Sequence, residues 1–166
     1  VDDKDLPLHT ITDPTGQHGE VDRIRYPKPG DPNPDVRLGV ARIDGSPIVW
    51  MHEDETTDQY TAWPCWTLDG NTLIYQVLNR AQNSLQVIAG DPVTGINSLL
   101  WKEERPTWVE FHEGFHFASS TELLFTSNFE DWNNLYRFDL AEGAFERVTD
   151  FSWNITEIEY IDTIGK

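Results

Sequence analysis

The stretch Leu73-Ile74-Tyr75-Gln76-Val77-Leu78, the turn residues Asn79-Arg80-Ala81-Gln82-Asn83, and the run Ser84-Leu85-Gln86-Val87-Ile88-Ala89 leading to Asp91 and Gly95 carry the decisive pattern. Two apolar runs rich in β-branched and aromatic residues, set around a polar turn, read as paired antiparallel strands. The pattern returns 50 residues later, where Leu123-Leu124-Phe125 aligns with Leu73-Ile74-Tyr75 and Asn133 with Asn83. A shorter motif occurs three times: Leu38-x-Val40-x3-Asp44-Gly45, Leu85-x-Val87-x3-Asp91-x3-Gly95 and Leu135-x2-Phe138-Asp139-x3-Gly143. The step from Leu38 to Leu85 is 47 residues and from Leu85 to Leu135 is 50, a period of about 48.

A repeat of about 40 to 50 residues made of about four short strands is the signature of a β-propeller blade. The Asp-Gly turns are expected to join the two middle strands of each blade, with alternate residues pointing between neighbouring blades. Strands are predicted at 36–43, 47–51, 72–78, 84–89, 98–101, 122–127, 134–140 and 144–148, and no amphipathic helix is predicted. The fold class is all-β, a partial β-propeller of about three four-stranded blades over 36–166. A length of 166 residues holds about 3.5 such repeats, fewer than the 4 to 8 blades of closed propellers, so the ring is expected not to close. The end, 155–166, alternates in polarity and reads as a strand cut short.

Upstream, residues 1–35 lack apolar periodicity. Pro27, Pro29, Pro32 and Pro34 fall within eight positions and exclude both helix interior and sheet ladder. This part is expected to be a proline-rich extended arm and loop. The chain opens on Val1 rather than Met and carries no signal-like segment, so it reads as a processed or excised piece.

Charge narrows the partners. Twelve Lys and Arg against 29 Asp and Glu give a net charge of −17, which repels phosphate backbones and anionic lipid. No nucleic-acid partner is expected. Cys65 is the single cysteine, so no intrachain disulfide forms, and a buried inert thiol is expected.

Four segments resemble a known family. They are Tyr26-Pro27-Lys28-Pro29-Gly30-x2-Asn33-Pro34-x-Val36, Leu78-Asn79-Arg80-x-Gln82-Asn83-x-Leu85, Trp108-Val109 followed by His116-Phe117, and Thr149 to Trp153. In order and spacing they resemble the N-terminal propeller of dipeptidyl peptidase IV-like serine peptidases of the prolyl oligopeptidase clan, over residues 20 to 162. The resemblance implies a periplasmic or cell-surface exopeptidase that removes Xaa-Pro or Xaa-Ala dipeptides from peptides with a free N-terminus. It also implies a homodimeric parent whose chemistry sits in a separate α/β-hydrolase domain with a Ser, Asp and His triad.

This chain has no Gly-x-Ser-x-Gly elbow, and Ser119-Ser120 lack flanking glycines, so no catalytic residue is expected within it. The family anchors the substrate amine with adjacent glutamates. Glu103-Glu104 is the only such pair, but its neighbours do not match the family motif, and a solvated turn is expected there. Residues after the Trp-Val pair approach the substrate pocket in the family, which points to Phe111 and His112 as substrate-binding residues.

His112-Glu113-Gly114-Phe115-His116 also satisfies His-Glu-x-x-His, the zinc peptidase signature, which requires both histidines on one helical face. Val109, Phe111, Phe115 and Phe117 instead alternate as in a strand interrupted at Gly114. An extended backbone would hold the two histidines about 13 Å apart, too far for one zinc. No metal and no cofactor is expected. Asn154-Ile155-Thr156 forms a glycosylation triplet, the Glu53-Asp54-Glu55 loop lacks calcium-loop spacing, and the seven tryptophans read as blade packing. A stand-alone interaction module using open sheet edges is the alternative reading.

Overall fold

The computed structural model describes residues 1–54 and 56–162. Every regular element among them is a β-strand, and every pairing is antiparallel. Two four-stranded meanders form its body. One is β5 (Gln59–Trp66), β6 (Leu73–Asn79), β7 (Ser84–Gly90) and β8 (Asn97–Glu104); the other is β9 (His116–Phe117), β10 (Glu122–Ser127), β11 (Asn134–Asp139) and β12 (Ala144–Arg147). The short strands β3 (Gly39–Val40) and β4 (Val49–Trp50) pair ahead of them. The strands lie in chain order within each sheet, as in propeller blades.

Alternation along β6 explains how the sheets stack. Leu73, Tyr75 and Val77 pack with Met51 of the segment after β4 and with Val40 and Val49. Ile74, one residue out of step, faces the other way into a core with Val87, Trp101, Leu123, Phe125, Tyr136 and Phe138. Residues Leu73 to Leu78 are all buried because both faces of this central strand are covered. Phe125 and Phe138 come from the second meander, so the two share one core.

The repeated Asp motif is a repeated turn. The Asp91 carboxylate accepts hydrogen bonds from the Val93 and Thr94 amides, and the Gly95 amide donates to the Asp91 carbonyl at 2.8 Å. Asp139 accepts from Ala141 and Glu142, and the Gly143 amide donates to the Asp139 carbonyl, also at 2.8 Å. These turns join the third strand to the outer fourth, not the two middle strands as the sequence suggested. The middle strands β6 and β7 are joined by Asn79-Arg80-Ala81-Gln82-Asn83. There Asn79 Oδ1 accepts from the Asn83 and Ser84 amides, and Gln82 adopts a left-handed φ of 54°.

The arm differs from a uniform loop. Residues Leu8–Asp13 (β1) and Glu20–Arg25 (β2) form a hairpin with Leu8 opposite Arg25, exposed along nearly all of both strands. It follows from the alternation of Leu8, Thr10 and Thr12 with His9 and Ile11 around Pro14 and Gly16, in which too few apolar residues mark a buried face. The proline segment after it has no strand, and it is tied down where Arg80 Nη2 donates to the Asp31 carbonyl and Asn33 Nδ2 donates to Asp58. Two of the resemblance segments therefore meet in space.

β5 was not expected. Trp63-Pro64 breaks its apolar pattern, and the strand accommodates both in a bulge between Ala62 and Cys65. Cys65, half-buried behind that bulge, has its thiol pushed up to about 11 by burial. The strand expected over 155–166 is absent from 155–162, and 163–166 lie outside the described residues. Ile155 instead donates its amide to the Asn133 carbonyl at 2.7 Å, and Asn133 in turn donates its amide to Asn154 Oδ1 and its Nδ2 to the Ile155 carbonyl, a side-chain clasp rather than a ladder.

Candidate functional site

Between the two meanders the chain from Arg105 to Phe115 takes no regular structure, and it is held by the turns and strands it crosses. The Arg105 amide donates to the Asn83 carbonyl at 3.0 Å and the Val109 amide to the Gln82 carbonyl at 2.8 Å. At His112 the grip comes from a side chain. Gln76 Nε2 donates to the His112 carbonyl and the His112 amide donates to Gln76 Oε1, both at 2.8 Å. The buried amide of β6 thus satisfies both backbone groups of a residue with no strand partner.

This segment lines a cleft of about 1110 Å³, together with Tyr60, Trp63, Gln82, Ser127 and residues 154–158. Phe111 and His112 both lie in its wall. Phe111 is half-buried and packs on a small core of Leu78, Leu85 and Val109. His112 is 3% exposed and its ring is surrounded by Trp101, Phe115, Phe125 and Phe129, the nearest centroid being that of Phe125 at 4.8 Å.

Burial drives the His112 imidazole down to about 4, against a hydrogen bond with the Thr126 backbone that pulls the other way. The ring is neutral at neutral pH. Its Nε2 lies 3.6 Å from Glu103 Oε2 and has no hydrogen-bond partner. Glu103 is itself 5% exposed, with its carboxyl raised above the usual range by burial, while Arg105 at 2.7 Å opposes the shift.

The solvated turn expected at Glu103-Glu104 is therefore corrected. Both residues end β8, and alternation places Glu103 inward beside Trp101 while Glu104 faces solvent and pairs with Lys102. Glu103 and its clamp partner Gln76 are the site residues that sequence reading missed. Glu103 carried a signal in its place two residues beyond the inward Trp101; Gln76 carried one as a lone polar residue inside an apolar run.

His112 and His116 line the same cleft, but no helix connects them: Gly114 has a φ of 71°, and His116 opens β9. No group of three or more His, Cys, Asp or Glu side chains able to hold a metal occurs among the described residues. Ser119 Oγ accepts from the Thr121 and Glu122 amides, a turn-stabilising role. The arrangement is a groove lined by aromatic rings and carboxylates, a surface on which binding is the chemistry available.

Four-stranded meanders stacked through alternate residues of their central strands, with a cleft on the loops between them, define a β-propeller segment. The chain matches the model of the dipeptidyl peptidase IV (DPP IV) N-terminal region over residues 1–166, and it belongs to that family. Its relatives include the "Probable dipeptidyl peptidase 4" of Emericella nidulans, 24% identical over 153 residues, a match that covers 84% of this chain and 20% of that protein. The namesake from Aspergillus flavus is also 24% identical, over 151 residues. Among solved structures, one from Bacteroides ovatus assigned as a dipeptidyl aminopeptidase IV superposes with a TM-score of 0.86 over 98% of this chain and 26% of its own, at 23% identity. Porphyromonas gingivalis dipeptidyl peptidase 4 gives 0.79 over 92% of this chain and 22% of its own, at 20% identity. The chain thus spans about a fifth of the length of the relatives it matches.

Proposed function

We propose that this chain is a non-catalytic part of a dipeptidyl peptidase IV-like serine exopeptidase, forming a section of the wall through which peptides reach a separate α/β-hydrolase domain. The observation that carries the reading is the match of residues 1–166 to that family's N-terminal region. The cleft beside Phe111 and His112 supports it, since a groove walled by aromatics suits an extended peptide. The wall works by exclusion: stacked blades keep folded proteins from a promiscuous nucleophile while short peptides pass. The net charge of −17 steers peptides with a free amino terminus, an effect screened beyond about 8 Å at physiological salt.

The test is hydrolysis of Ala-Pro anilides by the full-length peptidase containing this chain. Cleavage of the free-amine substrate and not of its N-acetylated form is the expected result; the 166-residue chain alone is expected to cleave neither. Phe111→Ala is expected to raise KM severalfold with little change in kcat. A full-length protein that leaves both substrates intact overturns the reading. The same reading places the parent in the periplasm or at the cell surface as a homodimer, which cell fractionation and sedimentation velocity test directly.

A further inference from the structure

The cleft at Phe111 combines two chemistries. Tyr60, Trp63, Trp108 and Phe111 give it aromatic faces; Glu110, Glu113 and Glu157 give it carboxylates, all three exposed and in no ion pair among the described residues. Among the described residues, no lysine or arginine lines it. A concave surface of one charge sign focuses its field on the space between its walls, and aromatic faces attract cations at about 6 Å or less.

Trp63 adds a structural sign. Its φ is 55°, a left-handed conformation that is strained for a bulky residue, and it sits in the β5 bulge, 48% exposed. A strained aromatic that is half-exposed at a cleft contributes little to the core in return for its strain; strain of this kind gathers at ligand clamps. Ser127, a lining residue only 4% exposed, has its Oγ buried without a hydrogen-bond partner. That hydroxyl is not satisfied within the fold.

We infer that this cleft is a subsite for a lysine or arginine side chain of an extended peptide, with the cation between the aromatic wall and the rim glutamates. The inference rests on the reading of the chain as part of a peptidase and adds a substrate class to it. The peptide backbone alongside supplies the partner that the Ser127 hydroxyl lacks.

The experiment uses the full-length peptidase and a series of proline-containing peptides in which lysine or norleucine occupies one position at a time. At one position the lysine peptide is expected to show kcat/KM about tenfold above its norleucine twin, through KM and diminishing with salt. That ratio is expected to fall towards one in Glu113→Gln/Glu157→Gln and in Trp63→Ala. The isosteric glutamine changes on exposed side chains keep the test readable even where Trp63→Ala disturbs the β5 bulge. N-acetylated versions of the two peptides, used as competitive inhibitors, separate the sources of the cation: the lysine form is expected to inhibit more strongly. Equal kcat/KM at every position, a ratio unchanged in the variants, or a preference that vanishes on acetylation each overturns the inference while leaving the peptidase reading intact. Failure to cleave any peptide overturns the peptidase reading itself.

Discussion

At His112 a titratable ring is enclosed by four aromatic side chains, with its Nε2 facing Glu103. Its folded value of about 4 lies below the 6.5 of the open imidazole, so the unfolded chain takes up this proton first as pH falls. The contribution is complete above about pH 6.5 and is lost progressively down to about 4, by an amount on the order of 3 kcal/mol. Glu103 acts in the opposite sense: its carboxyl is held above the usual range, so its contribution is present at low pH and is lost as pH rises through its folded value. His112→Gln is expected to flatten the fall of the urea midpoint between pH 6.5 and 4, and Glu103→Gln, which removes an opposing contribution, to steepen it. A His112→Gln profile that parallels the parent's would refute the assignment. The family resemblance pointed to Phe111 and His112, and the fold places both in the cleft wall. Glu103 was not legible in the sequence, since an adjacent Glu-Glu pair reads as solvated until the phase of β8 is known.

At the scale of elements, a single amide substitutes for a missing stretch of ladder. Gln76→Leu keeps the volume in β6 but leaves the His112 N–H and C=O unpaired in a buried setting, and is expected to cost about 2 to 5 kcal/mol in urea unfolding. Gln76→Glu retains the acceptor and loses the donor, so it should fall nearer to Gln76→Leu than to the parent. The two equivalent turns give a second comparison. A Cβ at Gly95 would lie 2.2 Å from the Trp50 carbonyl oxygen, whereas at Gly143 nothing lies within 4 Å, and the two glycines have φ of 77° and 66°. Gly143→Ala is expected to cost about 1 kcal/mol, the strain alone. Gly95→Ala is expected to cost distinctly more and to loosen β3 and β4, because the His52 amide bonds to the Gly95 carbonyl. Equal losses in thermal unfolding would contradict the close approach. The strands of both meanders were largely visible as short apolar runs; β5 was hidden by Pro64, and β1 and β2 by having almost no buried face.

The whole molecule couples its two meanders through one core, in which Ile74 and Val87 meet Leu123, Phe125 and Phe138. Phe125→Ala is expected to cost about 3 to 5 kcal/mol and to leave unfolding a single transition by both tryptophan fluorescence and far-ultraviolet circular dichroism. Two separated transitions would show that the meanders fold independently. The propeller class was readable because the repeat period survives in the apolar spacing. The joining of third to fourth strand by the Asp turns was not, since a turn residue marks a reversal without naming its place in a sheet.

Cys65 sits behind the β5 bulge as the chain's only thiol, with its ionisation suppressed by burial. A thiol in that state reacts with an alkylating reagent chiefly when the strand edge lifts away, so its modification rate at fixed pH is a clock for that opening. No label need be engineered and no other sulfhydryl contributes signal. If ligand occupancy of the cleft holds Trp63 in place two residues away, the same clock should run slower with peptide present, turning an inert side chain into a reporter of occupancy.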